Sequence, residues 1–491
     1  MKQNKRNDMN EMNNSNLNNK GKENSSMNVF RLILLLAFVI PVGLFGQREK
    51  DSKLFSPASG TTFSGVLGSG ARAYGMGGAF IAIADDATAA SWNPGGLGQL
   101  EKPELSLVAR YQNYRTLQPA QLVNPYYLIG PQDYDGNALG FDFISFTYPF
   151  RIGKHKIVPQ ISYQRSISFD IRTRMNNVRT MITEPGSFME IFSADSQVFT
   201  GGIDTVTFSL GSKLFNRINI GISANVMLNG LNGRETSDAY GKFTPQLPFP
   251  TENNYSGASK ETIRADIDGF NINVGVLVDI ANNFKVGMVY KSASTLNFDY
   301  KVTNQQVVTI NNVSTQTGVE YGAVKNLKWP YTIGLGISYR PSDPLTISAD
   351  LTTTRWSRSI IRNFYIKESD NTDKLIDVYF PTFTEVSNDI RKMQVDTMQV
   401  RGGMEYILMG KNYFLIPIRF GIFSDTQYYV DSTGKKVTLF GVTGGAGIKK
   451  GAFSFDMAIM YEFGNYLKSN YDYSETLFHD FRIYSSIIFT L

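Results

Sequence analysis

Few residues in this chain could do covalent or metal chemistry. Cysteine is absent, so disulfides and thiolate metal sites are excluded, and the only histidines are His155 and His479. The adjacent carboxylates Asp85 and Asp86 could form an acid/base pair. Placed just before Ala87–Trp92, they more simply cap a short helix. Gly68-Ser69-Gly70 has the look of a phosphate loop, but no strand precedes it, so dinucleotide binding is set aside. These residues call for no catalytic group, no metal and no cofactor. What remains is a set of arginines. Arg401 and Arg419 could hold a carboxylate through paired N–H donors, or they could join Glu405 in an ion-pair network. The choice depends on the elements that position them.

The chain has 491 residues, yet no Pro- or Ser-rich linker divides it after residue 100. Aromatics make up 13% and glycines number 44, a composition suited to β-sheet with tight bends. Residues 1–26 read as a disordered extension rich in Asn, Lys and Ser. Met27 to Arg31, the apolar run Leu32–Ile40 and then Pro41 form a signal-peptide pattern, with cleavage before Gln47 and Met27 as a possible start. A single anchor helix is the other reading, but the run falls short of the ~20 residues of a span. Residues 1–46 contribute +3 of the formal +5 charge, leaving +2 and no reason to expect a nucleic-acid partner.

Periodicity then sets the fold class. Ile218, Ile220, Ile222, Ala224, Val226 and Leu228 oppose Asn219, Gly221, Ser223 and Asn225. Tyr331, Ile333, Leu335, Ile337 and Tyr339 oppose Thr332, Gly334, Gly336, Ser338 and Arg340. The same alternation recurs in Leu345–Thr352 and Phe453–Phe463. Segments of ten or so residues with this pattern are the mark of transmembrane strands; soluble β-sandwiches alternate too, but with shorter strands. About 14 strands can be counted, joined alternately by short turns and long loops. That predicts an all-β chain: a transmembrane antiparallel β-barrel with the short turns on the periplasmic rim. Parity places Arg110, Arg340, Arg401, Arg419 and Arg482 on the lumen face.

The stretch Gly60–Leu100 differs from all of this. It is small, apolar and nearly uncharged. Gly70-Ala-Arg-Ala-Tyr-Gly-Met-Gly-Gly-Ala79, followed by Ala84-Asp-Asp-Ala-Thr-Ala-Ala-Ser-Trp-Asn-Pro94, resembles the N-terminal segment of FadL-type outer-membrane transporters of hydrophobic compounds. Gly95 stands where that family carries Ala. Pro417-Ile-Arg-Phe-Gly421 and the terminal strand Phe481–Leu491 also resemble family and outer-membrane patterns, with Leu491 replacing the usual terminal Phe. The resemblance implies three parts: an extension with signal peptide over 1–46, a hatch over 47–100 inside the lumen, and a 14-stranded barrel over 101–491. It also implies passive uptake of compounds such as long-chain fatty acids, bound near the hatch and released sideways through the wall near the third strand. On this reading the protein is a monomer of the outer membrane and not an enzyme. Its partners are hydrophobic small molecules, outer-membrane lipid and lipopolysaccharide, and the barrel assembly machinery.

The residues expected near ligand are Tyr74, Met76, Phe80, Ile83, Trp92, Asn93 and Pro94 of the hatch, with Arg401 and Arg419 of the wall; the hatch side chains could instead only pack the plug. In the third strand, Ile157, Pro159, Ile161, Tyr163, Arg165 and Ile167 share the lipid-facing parity. Proline removes a ladder donor, and a lipid-facing arginine costs about 2–4 kcal/mol at the midplane. Pro159 and Arg165 therefore mark a candidate opening in the wall, unless Arg165 simply reaches up to the outer interface. Two alternatives remain. A PorV-like accessory of a secretion system would have a sealed polar lumen. A phospholipase-like enzyme would need a Ser–His pair, which neither His155 nor His479 supplies.

Overall fold

The computed structural model describes residues 68–491, apart from 119–120, 125–126, 130–131, 169–170, 185–186, 200–201, 230–236, 247–254, 311–312, 359–360, 363–366, 369–375, 378–394, 411–413, 431–433 and 468–474. The extension, signal peptide and first part of the hatch segment, and most of the loop 356–394, lie outside the described residues.

Fourteen antiparallel strands form the wall. They are β1 Glu104–Gln118, β2 Gln132–Thr147, β3 His155–Ser168, β4 Gly202–Leu214, β5 Ile218–Asn229, β6 Tyr255–Ala281 and β7 Phe284–Lys291. The second half comprises β8 Thr332–Ser342, β9 Leu345–Thr354, β10 Thr397–Met409, β11 Leu415–Val430, β12 Lys436–Lys450, β13 Phe453–Leu467 and β14 Glu475–Thr490. Each pairs with its neighbour in sequence, and β1 pairs with both β2 and β14, which closes the sheet. Closure leaves no free outer edge, so backbone groups pair within the sheet wherever neighbouring ladders run, as a lipid environment demands.

Side-chain parity follows the sequence pattern. On β5, Asn219, Ser223 and Asn225 are buried while Ile220 and Ile222 are exposed. Phe208, Leu335, Ile337, Phe420 and Ile459 belong to the same apolar outer surface. At the short-turn rim, Gly153 and Gly451 take positive φ (59° and 58°), which glycine tolerates without strain.

The alternation predicts strands over 284–301 and 155–172, and the wall departs from both. The strand expected over 284–301 breaks after Lys291 and resumes as Ser294–Ile310, which pairs with the upper half of the long β6. The third strand ends at Ser168 rather than near 172. Here the wall is irregular. The β2–β3 ladder runs only from Thr147↔Gln160 to Phe143↔Gln164. Beyond it, among the described residues, β2 keeps its ladder to β1 and packs beside the strand Ile171–Glu184 without a ladder to it, while β3 keeps its pairing to β4.

Candidate functional site

The hatch fills the lumen on the short-turn side. Helix α1 spans Ala71–Gly75 and α2 spans Ala89–Trp92. Asp86 accepts from the Thr88 N–H (2.8 Å) and hydroxyl (2.6 Å) just ahead of α2; the helix begins later than expected, at Ala89, with Thr88 at its N-cap and no side-chain cap, so neither aspartate caps it. Burial pushes the Asp86 carboxyl above the usual carboxylate range, against the pull of nearby Arg72. Asn93 ends α2. Its side chain accepts from Gly95 N (3.0 Å), and Pro94–Gln99 continues as a 3-10 turn rather than stopping outright. The Asn93 amide also donates to the Ile81 and Val276 carbonyls, at 2.9 and 3.1 Å, tying hatch to wall.

The wall receives this segment on a belt of inward glycines. Gly211, Gly221 and Gly275 stand opposite one another on β4, β5 and β6, and the 3-10 turn lies on them. Ile81 lies on Gly287 and Gly336, paired across β7 and β8; Met76 and Gly77 lie on Gly403 and Gly421, paired across β10 and β11. Where the belt reaches β9, Asp350 instead accepts from Phe80 N (2.7 Å) and Ile81 N (2.9 Å). The sequence showed these glycines only as the small members of alternating strands. Their common height depends on register, which no single strand reveals.

The sites expected near ligand resolve as follows. Met76, Phe80, Ile83, Trp92, Asn93 and Pro94 are buried in the hatch and its contact with the wall. Tyr74 stacks on Tyr484 with centroids 4.0 Å apart, and its hydroxyl donates to the Gly68 carbonyl. Arg419 is braced between Glu405 (2.7 Å) and Asp456 (2.6 Å), and Glu405 also takes two bonds from Arg72 of the hatch. Arg482 pairs with Asp480 and Glu462, and Arg110 with Asp142, whose carboxylate also accepts from Ser69. Arg401 differs. It donates to Gln399 at 2.7 Å, and its buried Nη1 has no partner among the described residues. Arg340 is corrected: despite its inward parity it sits exposed at the end of β8, donating to the Asp343 carbonyl of the following short turn at 3.1 and 2.6 Å.

The charged network crowds the β10–β2 side of the lumen. On the β3–β9 side lies a cavity of ≈ 140 Å³. Ala90 and Ser91 of α2 are the hatch residues that line it. Asn273, Lys291 and Thr352 give it a polar end, and Ile203, Leu296, Trp329 and Trp356 an apolar end toward the long loops. Trp356 meets Trp329 edge-on (4.8 Å) and Tyr428 (4.9 Å). None of the nine residues expected near ligand lines this cavity.

The third strand also corrects expectation. Arg165 keeps the outer parity of Tyr163 but does not face lipid as a lone cation: it is buried and paired with Asp204, which Tyr163 also bonds. Pro159 lies within an unbroken pairing to β4, and the register shift falls between Arg165 and Ile167. The bulge turns Ile167 inward onto Ile203 and Leu296, where unbroken alternation would have left it facing lipid.

A closed 14-stranded wall around a buried N-terminal hatch narrows the comparison with known proteins. The family model for outer-membrane transport proteins (OMPP1/FadL/TodX) matches residues 55–371. The chain belongs to the OMPP1/FadL/TodX family. The FadL/TodX architecture recurs in solved structures. The toluene transporter TodX of Pseudomonas putida has a TM-score of 0.53 at 11% identity, with 87% of this chain and 99% of that one covered. The toluene transporter TbuX of Ralstonia pickettii gives 0.51 at 14%, covering 87% and 99%. A FadL homologue of Pseudomonas aeruginosa gives 0.52 at 12%, covering 86% and 98%. At such identities the likeness establishes the fold alone. Comparison with curated proteins finds no match. The chain is therefore an outer-membrane β-barrel transporter of the FadL/TodX type, a family that carries hydrophobic compounds.

Proposed function

We propose that this transporter takes up small hydrophobic compounds passively from the long-loop side, holds them in the cavity above α2, and releases them sideways between β2 and β3. The carrying observation is the end of the β2–β3 ladder at Phe143↔Gln164, beside a hatch held all round by glycines and carboxylates. A seated hatch bars the straight path, and the unpaired seam offers another. Position 140 has open space on the inner side, since a Cβ there would meet nothing within 4 Å. Long-chain fatty acids were the substrate expected from sequence. The cavity volume, near the ~150 Å³ that holds benzene in an apolar site, supports a smaller guest or one segment of a long chain. An open cavity also favours transport over the secretion-accessory reading, which calls for a sealed lumen.

The test compares uptake of labelled toluene and labelled fatty acid by cells with and without the protein. Gly140→Cys then addresses the exit. The natural chain has no cysteine, so a bulky maleimide labels that site alone. Labelling should lower uptake several-fold while the unlabelled variant transports normally. Undiminished uptake after complete labelling refutes lateral release at this seam.

A further inference from the structure

The cavity is too polar at one end for a pure hydrocarbon. Its polar end is a line of residues across neighbouring strands: Asn273 on β6 stands opposite Lys291 on β7, Lys291 opposite Thr332 on β8, and Thr332 opposite Thr354 on β9. Thr352 lies one step nearer the hatch, opposite Gly334, where Ile81 of the hatch and Val289 of β7 fill the space that a side chain would take. Most polar groups around this line satisfy one another. Thr332 bonds Thr354 (2.8 Å), Thr207 bonds Asn225 (2.7 Å), and Asn225 bonds Asn271 (2.7 Å). Two do not. Asn273 Oδ1 and Thr352 Oγ1 are buried with no partner among the described residues, and both side chains line the cavity. Asn273 is 7% exposed and Thr352 2%. A buried polar atom left unpaired costs about 1–3 kcal/mol, so a guest that pairs with it is favoured over one that cannot.

The geometry points to a small hydroxylated hydrophobe as the compound this cavity selects: a phenol or alcohol whose O–H docks between Asn273, Lys291 and Thr352. The inference rests on the transport reading above and narrows its substrate class. An unpaired carbonyl oxygen needs a donor. A hydroxyl supplies one to Asn273 and can accept from Lys291 or Thr352 in return. A carboxylate only accepts and would leave Asn273 unserved, and a hydrocarbon serves neither. The ring or short chain then points to the apolar end, against Ile203, Leu296 and the Trp329–Trp356 pair. Water can occupy the polar end when no guest is bound. A hydroxyl that reproduces the water's bonds displaces it without loss, whereas a methyl group forfeits them.

Three probes of one shape separate the possibilities: p-cresol, toluene and p-toluate, titrated calorimetrically into the purified full-length barrel. p-Cresol should bind roughly tenfold tighter than toluene, the worth of one or two net hydrogen bonds, and tighter than p-toluate. In Thr352→Val and Asn273→Leu, each checked for a folded barrel by heat-modifiable gel migration, that preference should collapse to within about twofold. Equal binding of p-cresol and toluene by the natural protein overturns the substrate class and leaves the transport reading standing. Tightest binding of p-toluate overturns it too, since Lys291 would then be reading an anion. Binding of none of the three removes both the class and the cavity as a ligand site.

Discussion

Gly421→Ala tests whether the glycine belt clamps the hatch. A Cβ at position 421 would lie 2.1 Å from Gly77 N and 2.4 Å from Met76 C, where ordinary contact begins at 3.4 Å. The hatch backbone must therefore retreat about 1.3 Å, the difference between 3.4 and 2.1 Å. Gly77 N donates to Thr443 Oγ1 at 2.9 Å, and such a retreat stretches that bond beyond reach. Overpacking costs about 1–3 kcal/mol, and the lost hatch-to-wall bond a further ~0.5–1.5 kcal/mol, since Gly77 N keeps its second acceptor, the Tyr74 carbonyl at 3.0 Å, so roughly 1.5–4.5 kcal/mol of hatch seating is lost. Gly444→Ala is the control: it follows Thr443, the residue paired with Gly421, stands opposite outward Phe420, and its Cβ would meet nothing within 4 Å. Hydrogen exchange read over residues 71–83 should quicken at least about tenfold in Gly421→Ala, since each 1.4 kcal/mol is a factor of ten. It should stay unchanged in Gly444→Ala. If the two variants exchange alike, the belt is not what seats the hatch.

Three further outcomes follow from named contacts. Arg165→Leu alone removes the cation paired with buried Asp204, which keeps its Tyr163 bond, and should cost about 3–5 kcal/mol of barrel stability; Arg165→Leu with Asp204→Leu should recover most of it in a thermal melt, because the buried charge then leaves with its partner. Arg401→Ala should reduce uptake of anionic lipids while toluene uptake holds, if Arg401 takes part in ligand capture; equal uptake of both classes by variant and natural protein refutes that role. Asp396 is buried in part, which raises its pKa, but bonds from Ser357 and Arg355 outweigh this and hold the carboxyl below its ordinary value. A depressed carboxylate stabilises above the unfolded pKa and loses that contribution as pH falls through the folded one. The turn Trp356–Arg358 should therefore loosen only below the usual carboxylate range, seen as a change in tryptophan fluorescence, and Asp396→Asn should abolish the pH step.

The sequence alone determined the barrel. Alternation has a period of two along most of each strand, and lipid admits mainly apolar outer faces, so strand number, most of the parity and the alternation of short turns with long loops could be read residue by residue. It also determined the hatch, whose Gly/Ala composition suits a crowded lumen, and its helix stop at Asn93-Pro94. Tertiary structure decided the rest, because it depends on register and on a single inserted residue. Gly221 and Gly275, 54 positions apart, face each other only once β5 and β6 are aligned. The bulge near Ser166 turns Ile167 inward, and Arg165 is neutralised by Asp204, a partner on the neighbouring strand that parity within β3 does not reveal. The cavity likewise exists only where β6 to β9 bring Asn273, Lys291 and Thr352 together. Alternation tells which way a side chain points, and only the closed sheet tells what it meets.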